Sequence, residues 1–184
     1  MGAPMGGGEG GFVRKRLTTQ RMAALVSALL LTLVMAVPTA AGGNGATQVS
    51  GIGFVPGVGE CDSPPPGVIP TYAIVMTGDL VGCVYGFNPD FKIGPSGVAK
   101  ERADEIFVGS YNGHKGTFRM RENWHAKYDL ASETQIFGFC KHPIVKGSGA
   151  GGFVGVRGRL DFRDDLSDQA NPRFVYKGHL KNLD

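Results

Sequence analysis

Residues 116–129, GTFRMRENWHAKYD, alternate strictly between two chemistries. Phe118, Met120, Glu122, Trp124, Ala126 and Tyr128 occupy one set of positions; Thr117, Arg119, Arg121, Asn123, His125 and Lys127 occupy the other. In an extended chain successive side chains leave opposite faces, so this run predicts a long strand with one largely apolar and one cationic face. Such a strand needs partners on both sides, and the same pattern recurs along the chain. DEIFVGSY (104–111) leads into Asn112-Gly113, a pair that tolerates positive φ and favours a tight hairpin, which makes it an antiparallel neighbour. TQIFGFC (134–140), RGRLDFR (157–163) and RFVYKGHLK (173–181) repeat the motif, and with 48–55 and 71–87 they bring the total to seven or eight strands.

No stretch carries a helical period of any length, and parallel strands would need crossover helices, so the sheet is expected to be largely antiparallel. Composition agrees, since Gly and Pro fill 41 of 184 positions, too many for a helical bundle, while 11 Phe and 5 Tyr are too many for a disordered chain. A charged face and an aromatic face on strand after strand are accommodated by a sandwich or a closed barrel. The glycines scattered through the strands, among them Gly78, Gly109, Gly138 and Gly158, suit the bends of closure and favour the barrel.

The first 41 residues read as an address rather than as part of that fold. Residues 14–21 are basic, 22–37 (MAALVSALLLTLVMAV) are apolar, and PTAAG follows, giving the three regions of a secretory signal with cleavage near Ala41. The apolar run falls short of the roughly 20 residues of a bilayer span. The domain plan is thus a signal peptide (1–41), a Gly/Pro-rich segment with one strand (42–70) and a β-barrel (71–184), with the mature protein expected outside the cell. Four of the 19 Lys and Arg and one of the 16 acidic residues fall in the leader, so the remainder is formally neutral. A formally neutral domain is a poor nucleic-acid partner.

Three cysteines follow the leader: Cys61, Cys83 and Cys140. In an oxidising compartment they predict one disulfide and one thiol. A Cys61–Cys83 bridge would pin the Pro-rich stretch GVGECDSPPPGVIP to the sheet, and Cys83–Cys140 is the rival pairing. Cys140 as a catalytic nucleophile is set against an inert buried thiol, which is the commoner state. The loop GSGAGG (147–152) has the spelling of a dinucleotide motif but runs into strand-like FVGVRGRLDF rather than a helix, so no nucleotide is expected. His114, His125, His142 and His179 show no metal-ligand spacing among themselves, and no GxSxG occurs. Neither a metal nor a cofactor is expected.

Glu122 stands out because alternation places its carboxylate on the face of Met120 and Trp124, where burial would favour the protonated form. It is the catalytic candidate of the chain. The competing reading has it at a barrel mouth, in water or paired with an arginine.

Together GTFRMRENWHAKYD, GFCKHPIVKGSGAGGFVGVRGRLDFRDD and YKGHL resemble small secreted bacterial proteins of the allene oxide cyclase barrel-like class, a fold shared with plant dirigent proteins. KGSGAGGFVGVRGRLDF (146–162) carries most of the likeness, which covers roughly 70–181. It implies an eight-stranded antiparallel barrel with an apolar cavity, closed or partly plugged at one end. Plant cyclases of that class convert a fatty-acid epoxide to a cyclopentenone, and dirigent proteins steer phenoxy-radical coupling; none of their catalytic residues is carried across. The chain departs from the class at Ser110 and His114, where secreted relatives carry cysteines.

Three functions follow as expectations. The first is binding of an apolar or aromatic small molecule in a lumen lined by Phe118, Met120, Trp124 and Tyr128 of the long strand, with Phe137, Phe139, Leu160, Phe162, Phe174 and Tyr176 from three others. The plainer version is that these side chains only fill the barrel. The second is an isomerase or cyclase using Glu122 as acid or base, and the third an extracellular structural or interaction protein. No oligomeric state follows from the sequence.

Overall fold

The computed structural model describes residues 45–183, so the predicted leader lies outside the described residues. Ten strands form one sheet: β1 (Thr47–Phe54), β2 (Tyr72–Gly78), β3 (Leu80–Ile93), β4 (Val98–Tyr111), β5 (His114–Arg121), β6 (Asn123–Asp129), β7 (Thr134–Pro143), β8 (Ala150–Gly151), β9 (Arg157–Asp165) and β10 (Arg173–Lys181). Every pairing is antiparallel, and the order β3-β2-β1-β10-β9-β7-β6-β4 returns to β3 through the β3–β4 hairpin, which closes an eight-stranded barrel. β5 continues the line of β6 along the same edge of β4, and the two-residue β8 pairs with β5. Closure satisfies the backbone groups that an open sheet would leave at two edges.

The alternating run 116–129 falls on β5 and β6, which are one strand in all but name. β5 and β6 part only at Glu122, whose N–H still donates to the Ala103 carbonyl at 2.8 Å. The register against β4 is the same on both sides of the break, with Asp104 opposite Arg121 and Glu101 opposite Trp124. Because the pairing does not slip, the side-chain alternation is not reset, and Phe118, Met120, Glu122, Trp124 and Ala126 all point inward. The hairpin before it turns at Asn112 and Gly113 with φ of 48° and 83°. The predicted strand 71–87 is a hairpin of β2 and β3, turning where Gly78 adopts a φ of 100°.

One end of the barrel is solid. Phe107, Phe118 and Phe153 meet with ring centroids 4.9–5.6 Å apart, and Met76, Leu80, Leu160, Tyr176 and Leu180 pack around them without exposure. Phe153 comes from the loop that follows GSGAGG. That loop folds back on itself through Phe153 N–H to Ala150 O and Val156 N–H to Phe153 O, and Gly152 N–H ties it to Lys115 O. The glycine-rich segment therefore plugs the barrel with an aromatic side chain. The buried Tyr176 hydroxyl accepts from Leu80 N–H at 2.9 Å and donates to Thr77 O at 3.1 Å, so the β2–β3 turn seals the same region without an unpaired polar group.

The Pro-rich segment between β1 and β2 is held to the outside by a disulfide joining Cys61 and Cys83, which leaves Cys140 as a buried free thiol and excludes the Cys83–Cys140 alternative. Tyr85 reinforces the attachment by donating to Ser63 O at 3.1 Å.

Candidate functional site

Along β4 the inward positions run Glu101, Ala103, Glu105, Phe107, and the barrel changes character over these few residues. Phe107 belongs to the plugged end, whereas Glu101 borders a cavity of about 520 Å³ at the other end. Its walls are apolar and aromatic: Ile74, Phe91, Trp124, Tyr128, Phe162 and Phe174. Val55, Pro56, Leu166 and Pro172 frame the mouth from the loops after β1 and β9. Trp124 is fixed in the wall by its indole N–H, which donates to Asp164 Oδ2 at 3.2 Å.

Polar groups collect on the floor because four strands each bring an inward residue to the same level. Tyr72 of β2 lies over Gly86 of β3, where even a Cβ would fall 2.0 Å from the phenol ring. Its hydroxyl sits between two carboxylates, 2.9 Å from Glu105 Oε1 and 3.0 Å from Glu122 Oε2. The other oxygen of Glu105 lies 2.5 Å from His142 Nδ1, and the other oxygen of Glu122 accepts from the Cys140 thiol at 3.5 Å. Cys140 and His142 are alternate residues of β7, so both face inward. Glu105 is 0% and His142 2% exposed, which makes theirs a fully buried ion pair.

The electrostatics follow from that burial. Desolvation first, then the neighbouring Glu105, raises Glu122 to about 7, with His142 opposing the shift. Glu101 is raised for the same two reasons. Desolvation works against a charged His142, but the Glu105 carboxylate outweighs it, with Glu122 and Asp161 adding, and holds the imidazolium above its ordinary range. Tyr72 and Cys140 are pushed far up by burial and by the adjacent carboxylates, so both are neutral donors. A thiol so placed does not suit a thiolate nucleophile.

The sequence-derived lining residues divide three ways. Trp124, Tyr128, Phe162 and Phe174 border the cavity. Phe118, Met120, Leu160 and Tyr176 are inward but belong to the packed end, where they fill space instead of lining it. Phe137 and Phe139 are corrected outright: they are 50% and 40% exposed on the outer face of β7, where Phe139 stacks on His125 at 5.3 Å. The inward parity of β7 belongs to Gly138, Cys140 and His142, because Cys140 pairs with Trp124 and Phe162 on the strands to either side. Glu122 stands on the cavity floor, and among the described residues no arginine forms an ion pair with it.

Sequence reasoning missed Tyr72, Glu101, Glu105 and His142. In AKERADEIF both alternating sets contain charges, so hydropathy does not say which faces inward. Phe107 decides it: once that ring is in the core, Glu105 and Glu101 must follow at intervals of two. Comparison with known proteins finds no matching family model, no similar curated protein and no similar solved structure.

Proposed function

We propose that this chain is an exported barrel of the allene oxide cyclase-like type that takes an apolar or aromatic small molecule into its open end. The observation that carries the reading is the cavity itself, about 520 Å³ with aromatic walls and a polar floor. That size and lining belong to the range of small-molecule sites, in which a few placed polar groups orient an otherwise apolar ligand. The Cys61–Cys83 bridge supports an oxidising compartment, in line with the leader-like sequence that precedes the barrel. The tryptophan in the wall supplies the test, since it is the single one in the chain. Titration with parinaric acid, a fluorescent polyene fatty acid, should quench Trp124 saturably at one probe per chain, and Phe174→Ala should weaken the quenching. A folded barrel showing no saturable quenching would overturn the proposal.

A second reading, an isomerase, is favoured by one observation: the Glu122 carboxyl reaches the cavity floor beside the Tyr72 hydroxyl. There it is placed to take a proton from a carbon next to a carbonyl and return it to another carbon, leaving the composition of the substrate unchanged. Glu122→Gln retains the shape and the hydrogen bond from Tyr72. It should abolish turnover of an enolisable apolar ketone while preserving the melting temperature, and undiminished turnover would remove Glu122 from the mechanism.

A further inference from the structure

We propose that Glu122, Cys140 and His142 form a three-ligand site for a divalent metal of the zinc class, with its open position facing the cavity. One ligand atom from each residue lies within 4.8 Å of the other two. The Cys140 Sγ to Glu122 Oε1 separation is 3.5 Å. Zinc bonds of about 2.3 Å to sulfur and about 2.0–2.2 Å to oxygen, set at a tetrahedral angle, span an edge of about that length.

What lies behind these three residues strengthens the assignment. A metal-bound histidine characteristically gives its second ring nitrogen to a carboxylate, which fixes the ring. Here Glu105 engages His142 Nδ1 at 2.5 Å, and the nitrogen left for coordination, Nε2, is buried with no partner among the described residues. Orphaned buried nitrogens are rare and call for an explanation. Glu122 is braced in the same way: Tyr72 holds Oε2 at 3.0 Å and leaves Oε1 toward the thiol. The same hydroxyl lies 2.9 Å from Glu105, and its single proton serves one carboxylate at a time.

Charge points the same way. Glu101, Glu122 and Asp164 border the cavity, Glu105 lies directly behind it, and neither lysine nor arginine is among the lining residues. A dication would offset this excess of carboxylates. On binding, the Cys140 S–H and His142 Nε2–H bonds break, both protons leave to solvent together with any proton on Glu122, and the freed sulfur and nitrogen pairs form metal bonds while Nδ1–H stays with Glu105. The mixture of thiolate, imidazole and carboxylate excludes magnesium and calcium, which prefer oxygen alone, and fits zinc. Three protein ligands with a fourth position open is the arrangement of reactive rather than structural zinc sites. The inference deepens the small-molecule reading, for the cavity ligand would carry an oxygen donor, such as a carboxylate or carbonyl, at the end of an apolar body.

The test uses the disulfide-bonded protein stripped with a chelator and titrated with cobalt(II). The expected result is one cobalt per chain, with a near-ultraviolet thiolate-to-cobalt charge-transfer band and the intense visible bands of four-coordinate cobalt, all displaced by one equivalent of zinc. Cys140→Ser should lose the charge-transfer band while its circular dichroism is retained. Glu105→Gln, which touches no metal, should weaken binding about 10- to 100-fold. Failure of the folded wild type to take up cobalt, or a cobalt spectrum unchanged in Cys140→Ser, would overturn the site. Saturable Trp124 quenching without metal uptake would sink the metal site alone, and metal uptake without quenching would sink the small-molecule reading alone.

Discussion

Glu105 is the residue on which the floor of the cavity depends. It is fully buried, and its two oxygens are committed to Tyr72 and His142. Removing one partner of a buried ion pair strands the other in a medium that cannot solvate it, at a cost of about 3–5 kcal/mol. Glu105→Ala should show that loss in urea unfolding of the metal-free protein. Double substitution with His142→Phe should recover part of it, because no charge is then left unpaired. Recovery would identify the pair as a feature kept for the site rather than for stability. Tyr72 makes a related point about small residues, since its ring occupies the space over Gly86 that any side chain would fill.

At the scale of elements, β7 and the Pro-rich connection show how pairing decides what a pattern leaves open. TQIFGFC offers aromatics on one parity and Gly138 and Cys140 on the other, and hydropathy alone prefers the aromatics inside. Pairing of Cys140 with Trp124 and Phe162 settles the opposite arrangement. The Phe rings are displaced outward, and the space over Gly138 is taken by the side chains of Asp164 and Gln135. The segment between β1 and β2 has no ladder of its own and is tied down through Cys61 and Cys83, which are 22 residues apart. On the chain-entropy account a loop of that size is stabilised by about 3 kcal/mol, so Cys61→Ser/Cys83→Ser should lower the unfolding free energy by that amount. Because Val55 and Pro56 frame the cavity mouth, the reduced protein should also bind parinaric acid more weakly.

The whole molecule is asymmetric along the barrel axis, with one end filled and the other hollow. Phe153 is the centre of the filled end, fully buried against Phe107 and Phe118. Truncating a buried phenylalanine removes its transfer free energy and leaves a void, together about 3–5 kcal/mol. Phe153→Ala should therefore lower the denaturant midpoint strongly while leaving probe affinity and cobalt uptake at the far end unchanged. Loss of both functions along with stability would mean that the two ends are one cooperative unit. The division also explains how a small barrel keeps a cavity at all: its packed end supplies the burial that stabilises the fold, and the open end is spared that task.

By itself the sequence determined the class of fold. Period-two alternation, an Asn-Gly turn, many strand glycines and the lack of helical periodicity leave an antiparallel barrel as the economical solution, because each is a local property of the extended chain. It also picked out Glu122, since strict alternation fixed its face relative to Met120 and Trp124, and the unslipped register preserved that relation. The site required the tertiary structure. Tyr72, Glu105, Cys140 and His142 come from three strands, and Glu105 and His142, although 37 positions apart, meet at 2.5 Å. No spacing rule along the chain joins them, because in a barrel neighbours are set by strand order and register, and these are fixed only when the ring closes. Closure likewise decided which lining candidates were walls and which were filling, since that depends on distance along the axis from a plug supplied by a loop.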